Sequence, residues 1–312
     1  MTEPPRYRIG IDVGGTFTDF VVADMATGRF LFHKQPSVPT DPSASVERGI
    51  AALVAEEGMD PAAVELVVHG TTIGLNAIIQ RRGAKLAMVV SQGNRDVLEI
   101  ARLRLPSSYD FTEPREVPLV PRRLMFELPA RMRSDGSIER DPTEAELADL
   151  STRIAAAKVD AVAVMLLNSY RDPKLELRVA DALRRHLPGL LVTESAVLWP
   201  EVREYERALI AGLNAYIHPL MGAYLDRLRT RVAGLGVRGP IYITANNGGT
   251  LSLDTARGRP IDTVLSGPAS GVVAACRIGE AAGFRQLVTI DMGGTSADIS
   301  IVQAGVPEFS TA

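Results

Sequence analysis

The chain is 312 residues long, which corresponds to roughly two domains of about 150 residues or one domain with insertions, and its 46% apolar and 23% charged residues are those of a globular protein. A single cysteine, Cys276, excludes a disulfide framework, a cysteine-rich zinc site and a cysteine-ligated iron–sulfur cluster within the chain. The net charge of −3 gives no electrostatic ground for binding nucleic acid or an anionic membrane, and only four of the 34 basic residues are lysines, so a lysine-centred site has few places to sit.

The first residues, Met1 to Arg6, have neither the apolar core of a signal peptide nor a run of about 18 apolar residues for a membrane span, so the expected location is the cytoplasm. Residues 7–13 (YRIGIDV) and 18–24 (TDFVVAD) are strand-like and are separated by Gly14-Gly15-Thr16, which predicts a strand, a glycine turn and a strand. A third strand is expected at 29–35. Val46, Ile50, Leu53 and Val54 recur at helical spacing behind Asp41-Pro42 and predict a helix over 43–57. Strands at 64–69 and 85–91 then alternate with helices near 74–82 and 94–101. Three strands in hairpins followed by alternation predict an α/β fold with a mixed, ribonuclease-H-like sheet rather than a uniform βαβ series.

Residues 102–142 break this pattern. Eight arginines with Pro106, Pro114, Pro118, Pro121 and Pro129 predict an inserted long loop with short β pieces. A helix follows at 143–157, where Thr143 and Glu146 have the spacing of a capping box. A buried strand is expected at 160–167, a helix at 173–186 and a strand near 190–194. The stretch 201–232 is helical by pattern, and Pro219 is expected to kink or split it.

The chain then begins again. IYITANNGG (241–249) reads as a strand into a turn, and LSGPASG (265–271) opens a helix to about 282. QLVTIDM (286–292) and SADISIV (296–302) form a second strand, glycine turn and strand. This order divides the chain into an N-terminal domain over 6–195, carrying the insertion at about 102–142, and the start of a second domain over 196–312.

The two hairpins match residue by residue. Asp12-Val13-Gly14-Gly15-Thr16-Phe17-Thr18-Asp19 and Asp291-Met292-Gly293-Gly294-Thr295-Ser296-Ala297-Asp298 share Asp, Gly, Gly, Thr and Asp at a constant offset of 279. Consecutive glycines let backbone N–H groups approach anionic oxygens without a Cβ in the way, and Thr16 and Thr295 add hydroxyl donors. Asp12 and Asp291, at strand ends, suit a shared Mg²⁺ held through water. Such an arrangement supplies most of what phosphoryl transfer needs from a protein. An Asp-x-Gly-Gly sequence is also an ordinary hairpin turn, and Asp19 and Asp298 read equally well as residues that brace it.

These paired turns resemble the two phosphate-binding loops of the actin, sugar-kinase and heat-shock ATPase superfamily. More specifically, the chain looks like the N-terminal part of the hydantoinase A/5-oxoprolinase family. IGIDVGGTFTDFVV (9–22), HGTTIGLNAIIQRRGAKLAMVVSQGNRDVLEIAR (69–102), PEVREYERALIAGLNAYIHPL (200–220) and LSGPASGVVAACRIGEAAGFRQLVTIDMGGTSADISIV (265–302) carry the likeness. Gly74-Leu75 after HGTT, and Ala245-Asn246-Asn247 before Gly248, depart from the commonest wording and bear on the substrate. The resemblance implies helices on both faces of the mixed sheet, with a second half-domain cut short in this chain. It implies ATP and Mg²⁺, and the opening of a cyclic amide such as a hydantoin, 5-oxoproline or another lactam. Moving the γ-phosphoryl group to the amide oxygen would activate a poor electrophile for attack by water. A B-type subunit or domain would complete the hydrolysis, with no nucleic acid or membrane as partner. Related subunits serve acetone and acetophenone carboxylases, and a small-molecule kinase or a non-enzymatic ATP switch is the alternative of another class. Because a purine-binding segment would lie further downstream, residues 1–312 alone are expected to bind ATP weakly or not at all.

Weaker signals sit elsewhere. In His69-Gly70-Thr71-Thr72, which ends a strand and opens a helix, Thr71 and Thr72 read as phosphate or substrate contacts, or Thr72 as the helix cap, with Asn76 one turn on as a substrate contact. His69 reads as a catalytic or a structural residue. Ser266-Gly267-Pro268 reads as a helix cap or an anion site. Arg95, Arg102 and Arg104 read as a carboxylate clamp or as solvated surface. Cys276 is expected to be a small buried apolar side chain. The absence of GxSxG, HExxH and Walker A patterns disfavours a serine hydrolase, a zincin and a P-loop ATPase.

Overall fold

The computed structural model describes residues 6–103, 109, 110, 112, 113, 116–292 and 297–307. Its first elements are β1 (Tyr7–Val13), β2 (Phe17–Asp24), β3 (Phe30–Pro36), α1 (Pro42–Glu57), β4 (Val64–Thr71), α2 (Ile73–Ile79), β5 (Leu86–Ser91) and α3 (Val97–Ile100). The middle of the chain adds β6 (Met125–Leu128), β7 (Arg131–Met132), β8 (Ile138–Arg140), α4 (Glu144–Ala157), β9 (Ala161–Met165), α5 (Lys174–His186), β10 (Leu191–Glu194) and α6 (Ser195–Leu198). The last part holds α7 (Glu204–Gly234), β11 (Ile241–Thr244), β12 (Thr250–Ser252), α8 (Leu253–Gly258), α9 (Ser266–Ala281), β13 (Leu287–Met292), β14 (Ala297–Gln303) and β15 (Val306–Pro307). Two compact units result, Met1–Asn76 with Met221–Ala312, and Ala77–Leu220.

In the first unit six strands lie in the order β12-β11-β4-β1-β2-β3. β1 to β3 pair antiparallel, β1, β4 and β11 run parallel, and β12 returns antiparallel. The mixed sheet expected from the sequence is therefore present. Its core follows from the period of two in a strand. Ile9, Ile11 and Val13 of β1 point inward with Phe20 and Val22 of β2, where Val46, Ile50 and Leu53 of α1 and Tyr224, Leu225 and Leu228 of α7 join the same core. Each such side chain contributes about 1.5–3 kcal/mol on full burial. Helix α1 starts with Pro42 after Asp41 and stops at Gly58, which takes the left-handed conformation at φ 68°. At Gly49 the helix lies directly on the Phe20 ring, where any Cβ would be 2.1 Å from a ring carbon. The same unit contains a separate antiparallel sheet in the order β13-β14-β15. Leu287 of β13 packs at Gly279 of α9.

The second unit is built on β10-β9-β5-β6, every neighbouring pair parallel. All residues of β5 and β9 are buried, as expected for parallel strands covered on both faces. At the centre of this unit lies a fully buried ion pair. Glu176 accepts from the Leu166 and Ala196 N–H groups at 2.8 and 2.7 Å and from the Ser195 hydroxyl at 2.8 Å. The Arg207 guanidinium, 3.6 Å away, donates to Ser169, Ser195 and the Leu166 carbonyl.

Four differences from the sequence reading have physical causes. β5 does not continue the first sheet; flanked by β9 and β6, it belongs to the parallel sheet of the other unit. The apparent restart at residue 241 lies in the first sheet, where buried Ile243 of β11 stands beside His69 of β4. Within 102–142 the short β pieces are present, and β6 forms the edge of the parallel sheet. Pro219 does not split α7, and the Tyr216 carbonyl in the turn before it accepts the Ala84 N–H at 2.8 Å. Among the described residues α7 alone is long and apolar enough to cross a membrane, and 61% of its apolar window is buried within the protein.

Candidate functional site

The alternation that buries Ile11 and Val13 turns Asp12 to the opposite face of β1. In register, Asp12 stands opposite Asp19 of β2 and beside Gly70 of β4, and Asp19 stands opposite Lys34 of β3. Lys34 Nζ lies 2.9 Å from Asp19 Oδ1. On the far side of Gly70 is Thr244 of β11. A Cβ at position 70 would lie 3.3 Å from Asp12 Oδ1 and 3.4 Å from Thr244 Oγ1. Lys34, Asp19, Asp12, Gly70 and Thr244 thus form a row across five adjacent strands, with the glycine leaving room beside the Asp12 carboxylate.

Part of Asp12 is open to solvent, yet the protein crowding its carboxyl, followed by the charges of Asp19 and Asp291, holds it above the usual carboxylate range. The charge of Asp291 thus reaches the Asp12 carboxyl. The two hairpins also share their register. Asp291 pairs with Asp298, and Ile290 with Ile299, as Asp12 pairs with Asp19 and Ile11 with Phe20.

The first glycine turn is held in place by Ser37. Its hydroxyl donates to the Gly14 carbonyl at 2.8 Å and its N–H to the Thr16 carbonyl at 2.8 Å. The Gly14 N–H closes the hairpin onto the Phe17 carbonyl at 3.0 Å. Gly15 and Thr16 are exposed at the tip. Gly293, Gly294 and Thr295 lie outside the described residues.

The HGTT segment runs beside the end of β1. The Thr72 hydroxyl lies 3.5 Å from the Val13 carbonyl and accepts from Asn76 Nδ2 at 3.2 Å. The Thr71 hydroxyl, which is buried, accepts the N–H of Ile73, the first residue of α2, at 3.2 Å. His69 is fully buried with Nε2 2.5 Å from the Tyr224 hydroxyl, and burial pushes its pKa down to about 4. At neutral pH it is an uncharged structural imidazole, not an accessible acid or base.

The arginines divide differently. Arg102 pairs with Glu206, and Arg95 donates to the Arg122 carbonyl, so both contact protein groups. Arg104 lies outside the described residues. Cys276 is half-buried on α9 rather than fully enclosed. Neither Ser266 nor Gly267 caps α9, which starts at Ser266 after Leu265. Asn246 instead accepts the Leu265 N–H at 2.7 Å while donating to the Ile261 carbonyl at 2.9 Å.

Gly70, Thr244, Lys34 and Ser37 were not singled out by the sequence reading. One signal for Gly70 was available, since a glycine inside a strand run marks a close approach. The other three gain their place only through strand pairing. Among the described residues no group of three or more His, Cys, Asp or Glu side chains is arranged to hold a metal. Mg²⁺ needs no such cage, because one or two carboxylates with water and phosphate oxygens suffice. The Asp12 carboxylate is one such group, and Gly70 keeps the space beside it open.

The family description "Hydantoinase/oxoprolinase N-terminal region" matches residues 8–187, and "Hydantoinase/oxoprolinase" matches residues 207–312. The chain belongs to the hydantoinase/oxoprolinase family. Caprolactamase subunit alpha from Pseudomonas jessenii is 35% identical over 98% of the chain and 44% of its own length. The crystal structure of that organism's ATP-dependent caprolactamase superposes with a TM-score of 0.85 at 36% identity, over 95% of this chain and 43% of that one. A nucleotide-free acetone carboxylase structure gives a TM-score of 0.86 at 26% identity, over 98% and 46%. 5-Oxoprolinase 1 from Arabidopsis thaliana is 29% identical over 95% of this chain and 25% of its own length. This hydantoinase/oxoprolinase chain therefore spans less than half the length of the relatives it matches.

Proposed function

We propose that this chain is the ATP-binding, substrate-activating part of an ATP-dependent enzyme that opens a cyclic amide. The single observation that carries this reading is the pair of Asp-Gly-Gly-Thr hairpins, matched in register, whose lead carboxylates Asp12 and Asp291 stand at the same ladder position. The sheet order β3-β2-β1-β4-β11, with β2 antiparallel to its neighbours, supports assignment to the ribonuclease-H-like fold of actin-type ATPases.

Asp12 and Asp291 would hold Mg²⁺, in part through water. Bound there, the ion offsets the charge of the ATP phosphates during phosphoryl transfer. Gly14, Gly15 and Thr16, with Gly293, Gly294 and Thr295 of the second hairpin, would direct N–H and hydroxyl donors at the phosphates. Ser37 would hold the first turn in shape. Thr72 and Asn76, joined by a hydrogen bond beside the end of β1, would meet the substrate. Asp19 and its Lys34 partner brace the row from the β2 side. A cytoplasmic location and a B-type partner subunit go with this function.

Lactam opening is favoured by the likeness to caprolactamase and 5-oxoprolinase. The equal structural likeness to acetone carboxylase supports a second reading, activation of a ketone for carboxylation. The deciding experiment is ATP turnover by the chain extended with the part of an A-type relative that it does not cover and assembled with a B-type subunit. Turnover dependent on caprolactam, hydantoin or 5-oxoproline supports the first reading, and turnover dependent on a ketone with bicarbonate replaces it with the second.

A further inference from the structure

Strand β3 serves the first glycine turn through more than one residue. Its period of two buries Leu31 and turns Phe30, Phe32, Lys34 and Pro36 to the opposite face. That is the face of Asp12 and Asp19, because Asp12 stands opposite Asp19 and Asp19 opposite Lys34. Pro36 stands opposite Phe17, the residue after the turn, and Ser37 bonds to Gly14 and Thr16. Lys34 therefore comes from the segment that pins the turn and lies on the open side of Asp12.

Two neighbours place the Lys34 ammonium. Nζ lies 2.9 Å from Asp19 Oδ1 and 3.2 Å from Oδ2, and 5.0 Å from the centre of the exposed Phe17 ring. An ammonium has three donors, more than one carboxylate takes, and this side chain is 58% exposed, so part of it faces solvent. A bracing role explains little of this, since exposed ion pairs contribute little to stability. The residue type is also unusual for this chain, in which arginine supplies all but four of the 34 basic residues. An arginine would meet Asp19 in a two-point fork, whereas lysine offers a compact point charge with rotatable donors, which suits a tetrahedral phosphate. Without Lys34 the row across the sheet has two carboxylates and no cation, a poor setting for a polyphosphate.

We propose that Lys34 binds the phosphate chain of ATP, its ammonium donating to a non-bridging phosphate oxygen while Asp19 and Phe17 hold it in position. Strands about 4.8 Å apart put Lys34 roughly 10 Å from Asp12 across the sheet, so Lys34 and a metal ion at Asp12 would face a phosphate from two sides. The inference rests on the ATP-site reading above and adds a binding residue to it.

Calorimetric titration tests it on the chain extended with the part of Pseudomonas jessenii caprolactamase subunit alpha that it does not cover. The probes are the non-hydrolysable β,γ-imido analogue of ATP with Mg²⁺, and adenosine, which has no phosphate. Lys34→Gln should weaken the analogue about tenfold or more, as loss of a bond between charged groups does, and leave adenosine binding as it was. Lys34→Arg, which keeps the charge, should recover most of the loss. Asp19→Asn breaks the same ion pair but removes a negative charge, so it should not weaken the analogue. A pair that only braces the sheet gives the same loss, or none, from Lys34→Gln and Asp19→Asn, and either result overturns the proposal. Equal weakening of adenosine by Lys34→Gln overturns it too, because that marks a distorted fold. A wild-type protein that binds adenosine but not the analogue removes the ATP-site reading and the proposal with it, whereas wild-type binding that Lys34→Gln does not change removes the proposal alone.

Discussion

Asp12 stands directly opposite Asp19 in the β1–β2 ladder, while the Lys34 ammonium lies against Asp19. Asp12 thus has a like charge across the ladder and a second one in Asp291, and its carboxyl is held above the usual range, first by crowding and then by these two neighbours. A raised pKa means that the folded chain holds this proton more tightly than the unfolded chain does. The group's contribution to stability is therefore present at low pH and is lost as pH rises through the raised value. Asp12→Asn is expected to raise the melting temperature of the nucleotide-free chain at neutral pH, with the gain shrinking in acid. Thermal melts of both proteins across pH check this.

The space at Gly70 yields a separate prediction. Gly70→Ala places a methyl 3.3 Å from Asp12 Oδ1 and 3.4 Å from Thr244 Oγ1, tight enough that one of them must shift. Because only the carboxylate's setting changes, the fold should survive with a small loss of stability. Mg²⁺-dependent ATP turnover of the assembled enzyme should fall about tenfold or more, as expected for a misplaced catalytic group. Steady-state kinetics with a Mg²⁺ titration, beside a urea denaturation curve, separates the two effects.

Buried His69 gives the chain a pH dependence of known sign. Its pKa falls from 6.5 to about 4 because burial penalises the charged imidazolium. The unfolded chain then binds more protons between those values, so stability drops as pH is lowered from 6.5 towards 4, by roughly 3 kcal/mol at most. Urea denaturation of the wild type and His69→Gln across this window should show the slope in the first and not in the second.

Removing one partner of the Glu176–Arg207 pair should be costly. Both side chains are fully buried, and Glu176 is held above its usual range by desolvation despite its hydrogen bonds. Arg207→Leu leaves that carboxylate buried without its counter-charge and is expected to cost about 3–5 kcal/mol. Chemical denaturation measures the loss. A double replacement, Arg207→Leu with Glu176→Leu, should recover a substantial part of it.

The sequence was most legible where the physics is local. The period of two in YRIGIDV placed Asp12 at a strand end, and Thr143 with Glu146 formed the capping box that their spacing predicts. The repeated glycine turn was legible because both copies kept the same residues at one offset, and the ladders preserve it. Pairing across long separations was not. Nothing in IYIT says that β11 pairs with β4 rather than opening a new sheet, and without that pairing Thr244 has no reason to stand beside Gly70. The same limit hid Arg207. In a chain rich in arginine, burial of one guanidinium depends on Glu176, Ser169 and Ser195 reaching it from other elements.

The account's central claim is that the paired hairpins form one ATP-phosphate and Mg²⁺ site led by Asp12 and Asp291. Lactam-dependent ATP turnover by the assembled enzyme, compared among the wild type, Asp12→Ala and Asp291→Ala, tests it most directly. Both variants should fall to background, at least about a thousandfold below the wild type if the metal and phosphate charge are no longer held in the transition state. Turnover near the wild-type rate in either folded variant would contradict the claim.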